Sequence, residues 1–334
     1  MAVWLRFDVM KASHVVSAAA LAAPALVWLG IHAHSPEVRS WQLGKGERAR
    51  IANLGVRIHG KGEVVVVLLA GLASSERFWG RAYDVLGQHA RVLAIEPIGF
   101  GASIHHPALR ATVDADVHVD AVLATLRALG VHTNPVVIVG HSMGASLALR
   151  VGARHSPTRA VVAFDAPLYR SVDEASDRIR HMGWFEALLA QGPLAERVCQ
   201  WMCHNRTVAR GVAIAISPGL PVAVARDSVE HTWSGYIAGF DSLVRDPGWS
   251  DALGDLAARN VPVHLVDGEK DPVQVPGRAE ELERTHPNIT VTRLPGGHRL
   301  PLSDPERCAS IVRSVLSEYA ISTEGDVRPY PLEV

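Results

Sequence analysis

A chain of 334 residues with 33 Lys and Arg against 34 Asp and Glu carries a formal net charge of −1. That balance leaves no basic surplus, so no nucleic-acid partner is expected. Forty-eight per cent hydrophobic residues suit a globular body rather than a disordered chain. Three cysteines (Cys199, Cys203 and Cys308) are too few, and odd in number, for a disulfide framework.

The first element is apolar. Val15 to Ile31 holds no Asp, Glu, Lys or Arg and is interrupted only by Pro24, with Arg6 and Lys11 before it. Such a stretch reads as a signal peptide or a short membrane anchor, with an apolar helix packed on the body as the alternative. Residues 1–35 are set apart on that ground. The chain is expected to be membrane-associated, through residues 15–31, or exported, with a cytoplasmic location as the alternative. Pro36 and the polar stretch Gly44-Lys45-Gly46-Glu47 read as a linker.

From residue 48 strands and helices alternate. Strands are predicted at Ile51–His59, Val64–Leu69, Val92–Ile95, Val136–Val139, Ala160–Phe164, Val263–Val266 and Ile289–Leu294. Helices are predicted at Ser75–Gly87, Asp114–Leu129, Met143–Arg154, Pro276–Thr285 and Pro305–Tyr319. The alternation implies an α/β core, over residues 48–165 and 256–320, built on a mostly parallel twisted sheet flanked by helices. Over residues 166–255 it gives way to helices at Val172–Arg180, Trp184–Leu189, Leu194–His204 and around Arg226–Val244. Cys199 and Cys203 share a helix face there, next to His204. No second pair of ligands has metal spacing, so they read as structural thiols. The tail, residues 321–334, is polar and proline-bearing.

Within this frame Gly140-His141-Ser142-Met143-Gly144 stands between an apolar strand and a helix. G-x-S-x-G in a strand–turn–helix context marks a nucleophile elbow, whose glycines make room for the turn that lifts the serine hydroxyl out of the sheet. A serine hydroxyl needs a base, and the base needs an acid to orient it. His298, in the glycine-rich loop after the last strand, is the expected base. Asp271, on the loop beyond the strand ending at Val266, is the expected acid. Asp165, ending the strand Ala160–Phe164, is the alternative acid, and Asp267 and Glu269 compete less well. The backbone N–H groups of Met143 and of Leu72, in the loop Ala70–Ser75, are the expected oxyanion donors.

These motifs resemble those of the serine α/β-hydrolase superfamily. Ala70-Gly71-Leu72, Glu96-Pro97-Ile98-Gly99-Phe100-Gly101-Ala102-Ser103, the Ser142 elbow and the Asp271/His298 pair follow the family's order through most of residues 50–320. Within the superfamily the chain looks most like small esterases, C–C bond hydrolases and cofactor-free haloperoxidases. Haloalkane dehalogenases and epoxide hydrolases carry Asp where this chain has Ser142. Two positions depart from the pattern: many relatives have His-Gly at Ala70-Gly71, and Asp at Glu96. The resemblance implies an α/β-hydrolase fold with residues 166–255 as an inserted helical lid. It also implies a Ser-His-Asp hydrolase that cleaves a carboxylic ester, or a related acyl bond, of a small and fairly apolar substrate without cofactor or metal. The rivals are C–C bond hydrolysis, perhydrolase or haloperoxidase chemistry, acyl transfer to an alcohol, and a non-catalytic binding or scaffold role.

Overall fold

The computed structural model describes residues 24–182 and 192–320. The readings made on residues 15–23, on Trp184–Leu189 and on the tail 321–334 lie outside the described residues.

Eight strands form one sheet in the order β1-β2-β4-β3-β5-β6-β7-β8. β1 (Glu47–Ile51) and β2 (Leu54–His59) pair antiparallel, as do β2 and β4 (Arg91–Ile95). From β4 onward the sheet is parallel, through β3 (Val65–Leu69), β5 (Val136–His141), β6 (Thr158–Phe164), β7 (Val263–Gly268) and β8 (Ile289–Leu294). The central strands are continuous apolar runs because both faces are covered. Val65, Val67 and Leu69 pack with Val122 and Leu126 of the helix Ala115–Ala128 and with Leu147 and Val151 of the helix Met143–Arg154. Val66 and Leu68 pack on the other face with Trp79, Tyr83, Val312 and Leu316.

Two of the predicted elements early in the core differ from their sequence reading. The stretch Ile51–His59 is the β1–β2 hairpin rather than one strand. Ala52 and Asn53 both have positive φ, at 47° and 70°. Such a pair makes a two-residue hairpin turn of the primed type, usually marked by a glycine that is missing here. The predicted helix Ser75–Gly87 is two 3₁₀ segments, Glu76–Phe78 and Arg81–Gln88. Its run is broken where the Trp79 carbonyl accepts from Nη2 of the buried Arg57 at 2.6 Å. A carbonyl turned toward β2 cannot join an α-helical ladder.

The helices are numbered here in chain order. α1 (residues 24–34) and α2 (Pro36–Ser40) precede β1. α3 (Ala115–Ala128) is capped by Asp114, whose carboxylate accepts from Val117 N at 3.0 Å. α4 is Met143–Arg154. Between β6 and β7 come α5 (Val172–Met182), α6 (Pro193–His204), α7 (Arg206–Ile216), α8 (Val222–Asp227) and α9 (Trp233–Gly239), then a π-helical turn (Phe240–Arg245) and α10 (Trp249–Ala258). The region read as Arg226–Val244 is therefore divided, and α7 and α10 are additional helices. α10 packs on α4 beside the sheet, and Trp249 Nε1 donates to Tyr169 O at 2.7 Å. α11 (Arg278–Thr285), α12 (Leu300–Ser303) and α13 (Pro305–Ala320) complete the fold. Among the described residues, no helix is long and apolar enough to cross a membrane.

Candidate active site

The parallel register sets the site. Leu69 of β3 stands opposite Gly140 of β5, and His141 opposite Phe164 of β6, so these strands deliver their loops to one edge at one level. At that edge Ser142 adopts φ 54° and ψ −123°, a conformation L-residues avoid. Its neighbours explain how the turn is held. A Cβ on Gly140 would lie 2.1 Å from Gly144 O, and one on Gly144 would lie 2.2 Å from Leu69 O. No side chain fits at either place, which accounts for both glycines of the motif. The amide of Ser142 donates to Phe164 O at 2.9 Å, fastening the turn to β6.

Ser142, His298 and Asp271 come together. His298 Nε2 lies 2.9 Å from Ser142 Oγ, and His298 Nδ1 lies 2.9 Å from Asp271 Oδ2. An ionised carboxylate only accepts, so Nδ1 carries the proton and Nε2 is left to accept from the serine hydroxyl. Asp271 is buried, and its other oxygen accepts from Val273 N at 2.8 Å. That bond restrains the carboxylate that meets the ring.

Asp165 does not bond the His298 ring. Its Oδ1 accepts from Gly268 N at 2.9 Å and Gln274 Nε2 at 3.3 Å, and its Oδ2 accepts from Leu300 N at 3.4 Å. It thereby ties the loop carrying Asp271 to the loop carrying His298. Asp165 is fully buried, with a positive φ of 49°, and burial with the charge of Asp271 nearby pushes its pKa up to about 8. Asp267 faces Arg293, 3.3 Å away, while burial raises its pKa to about 7. Glu269 is exposed.

The amides of Leu72 and Met143 have no protein acceptor among the described residues, which suits donors meant for a ligand. Gly71 brings the Leu72 loop close: a Cβ there would lie 3.1 Å from Ser142 Cβ. Above Ser142 opens a cavity of about 370 Å³, walled by Leu72, Phe78, Tyr236, Phe240, Val244 and Val273 among others. Most of these walls are apolar, and they come from the β3 loop, the helices between β6 and β7, and the Asp271 loop.

One contributor was missed in the sequence. His141 is buried, and its Nε2 donates to the His298 carbonyl at 2.6 Å while its ring stacks on Phe78. Burial, with His298 beside it, lowers its pKa to about 3, so it stays neutral. Occupying the free position of G-x-S-x-G, it carried no signal beyond being polar at the end of a buried strand. His141, Asp165 and His298 bring one donor atom each within 4.8 Å of one another. The nitrogens of His298 are already engaged by Asp271 and Ser142, and Nε2 of His141 by the His298 carbonyl. Cys199 is buried, Cys203 Sγ lies 3.4 Å from His231 O, and the ring of His204 bonds the Gln200 carbonyl at 2.7 Å.

A mostly parallel sheet whose fifth strand ends in a strained serine turn, with an acid on the loop after the seventh strand and a histidine on the loop after the eighth, defines the α/β-hydrolase class. The chain belongs to the Alpha/beta hydrolase family, whose sequence model matches residues 66–311. Among solved structures it is similar to E-2-(acetamidomethylene)succinate hydrolase, at 18% identity and TM-score 0.60, over 82% of this chain and 100% of that one. A thermophilic esterase from Thermogutta terrifontis aligns at 21% identity and TM-score 0.57, over 82% of this chain and 99% of that one. A haloalkane dehalogenase from Agrobacterium tumefaciens C58 aligns at 19% and 0.61, over 83% and 97%. Identities this low speak for the fold alone. No curated protein matches the chain.

Proposed function

We propose that the chain is a serine hydrolase that cleaves a carboxylic ester, or a related acyl bond, of a small and fairly apolar substrate. The observation that carries the reading is the relay of two 2.9 Å contacts, Ser142 Oγ to His298 Nε2 and His298 Nδ1 to Asp271 Oδ2, opening into the apolar cavity. In this reading Ser142 attacks the carbonyl as His298 takes its proton. Asp271 holds the ring and stabilises its cation. The amides of Leu72 and Met143 receive the oxyanion. His298 protonates the leaving group and then activates the water that releases the acyl group. The residues proposed for these steps call for no cofactor or metal.

Ile179 of α5, Val224 of α8, Tyr236 of α9, and Phe240 and Val244 of the π turn line the cavity. We assign these elements as the lid, within residues 166–255 and between the two halves of the α/β core at 48–165 and 256–320.

Hydrolysis of nitrophenyl esters of graded chain length, with wild type beside Ser142→Ala, tests the assignment. Wild-type turnover should fall by roughly 10⁴-fold or more in the variant, and a fluorophosphonate should label only the wild type. Ester turnover that survives in Ser142→Ala would refute it.

A further inference from the structure

α1 is an apolar helix covered on one face only. Trp28, His32 and Ser35 touch the body. Trp28 Nε1 donates to Ile214 O at 3.3 Å, His32 Nδ1 meets Pro218 O at 3.0 Å, and Ser35 Oγ donates to Gly219 O at 2.7 Å. Their spacing of three and four residues makes one stripe. The remaining faces carry no charge, and Leu26, Val27, Leu29 and Ile31 are exposed, Leu26 by 67%. Apart from the exposed His34 the free faces of the helix are apolar, as in a helix that belongs in an apolar medium rather than in water.

The surface continues onto the helices α1 leans on. Leu194, Val198 and Trp201 form an exposed stripe on α6, and Val208, Val212 and Ile216 form another on α7, Ile216 exposed by 73%. Exposed apolar residues in contiguous stripes mark a docking surface, unlike scattered single ones. Among the described residues the charges bordering this surface leave a small basic surplus: Arg39, Arg197, Arg206 and Arg210 stand against Glu37, Glu196 and Glu230, with Arg210 paired to Glu230 and Arg206 bonded to the Val229 and His231 carbonyls. Apolar side chains with a basic rim fit a bilayer with anionic headgroups.

Behind this surface lies a second apolar cavity, of about 260 Å³. Exposed Trp201, Val212 and Ile216 line it on one side, and Ser228 and Tyr236, which also line the cavity above Ser142, on the other. We propose that the exposed faces of α1, α6 and α7 rest on a lipid bilayer, and that the second cavity admits an acyl lipid from it toward Ser142. The docking stands apart from the hydrolase reading; the choice of a bilayer-dissolved acyl lipid as substrate rests on it.

The test is sedimentation of the full chain with vesicles of phosphatidylcholine alone and with added phosphatidylglycerol. Two double variants touch neither cavity: Leu26→Ser with Val27→Ser, and Leu194→Ser with Val208→Ser. Wild type should bind, more tightly to the anionic vesicles and less so in high salt. Each variant should bind about fivefold or more weakly. Both variants should turn over a short, water-soluble nitrophenyl ester like wild type, which checks their fold. No binding to either vesicle would overturn the proposal. So would wild-type binding by the α6–α7 variant, which would leave the N-terminal segment as the whole anchor. Self-association that the variants abolish, without vesicle binding, would assign the face to a second copy instead. Vesicle binding without any ester turnover would leave the docking standing and remove both the hydrolase reading and the lipid substrate.

Discussion

Ser142 sits in a conformation that glycine tolerates and serine resists. Strain of this kind costs about 1–3 kcal/mol and is kept where the site needs it. Ser142→Gly should therefore raise the melting temperature by a few degrees while abolishing ester turnover, and a melt at or below that of wild type would contradict the strain argument. Glu96 offers a second test. Its carboxylate accepts from Ala102 N at 2.6 Å and Glu76 N at 3.2 Å, and burial raises its pKa to about 7. Asp267 and Asp165 are raised as well, to about 7 and about 8. An acid with a raised folded pKa binds its proton more tightly in the fold. Its contribution to stability is whole below the unfolded pKa and lost as pH rises through the folded value. Neutral His141 works in the opposite sense, losing its contribution as pH falls from 6.5 toward about 3. His59, His106, His118, His155, His231 and His264 are lowered like His141 and oppose the acids up to about pH 7, so the melting temperature should fall with rising pH between about pH 7 and 8, where the acids prevail. Glu96→Gln should flatten the slope, and melts at half-unit pH steps would decide it. The sequence brought forward Ser142, Asp271 and His298, the three side chains the fold places together, because chain order and turn chemistry constrain them. It was silent on His141 and on the bridging part of Asp165, because both depend on loops that meet only after folding.

Two backbone segments touch where the loop after β4 meets α9. A Cβ on Gly235 would lie 2.6 Å from Gly99 Cα and 2.9 Å from Gly99 O. Backbone on the far side cannot yield, so Gly235→Ala must displace α9, and with it Tyr236 in the cavity wall. The expected loss of stability is about 1–3 kcal/mol, with KM for the longer esters rising more than kcat falls. A variant matching wild type in both melting and KM would contradict the close contact. At this scale legibility followed hydrophobic pattern. The parallel strands were readable because burial on both faces makes them continuous apolar runs. The break at Trp79 was not, since it depends on Arg57 reaching over from β2. The helices between β6 and β7 were blurred because their outward faces are apolar too, as at Val208, Val212 and Ile216. That erases the polar stripe by which a surface helix is read.

For the molecule as a whole, alternation of strands and helices gave the fold class but not the strand order, which places β4 outside β3 and β7 beyond β6. Crossovers of that kind leave no local mark. The sheet that results runs on into the site. Ser142 N bonds Phe164 O, and Asp165 N bonds Val266 O, both at 2.9 Å, so the ladders of β5, β6 and β7 extend one residue past the strands into the turns that hold Ser142 and Asp165. A local fluctuation cannot open those bonds without parting the central strands. In hydrogen exchange, the amides of Ser142 and Asp165 belong with the slowest in the protein, opening only with global unfolding. Thermal loss of the serine site and thermal loss of the fold should then follow a single time course, with no inactive, folded state between them.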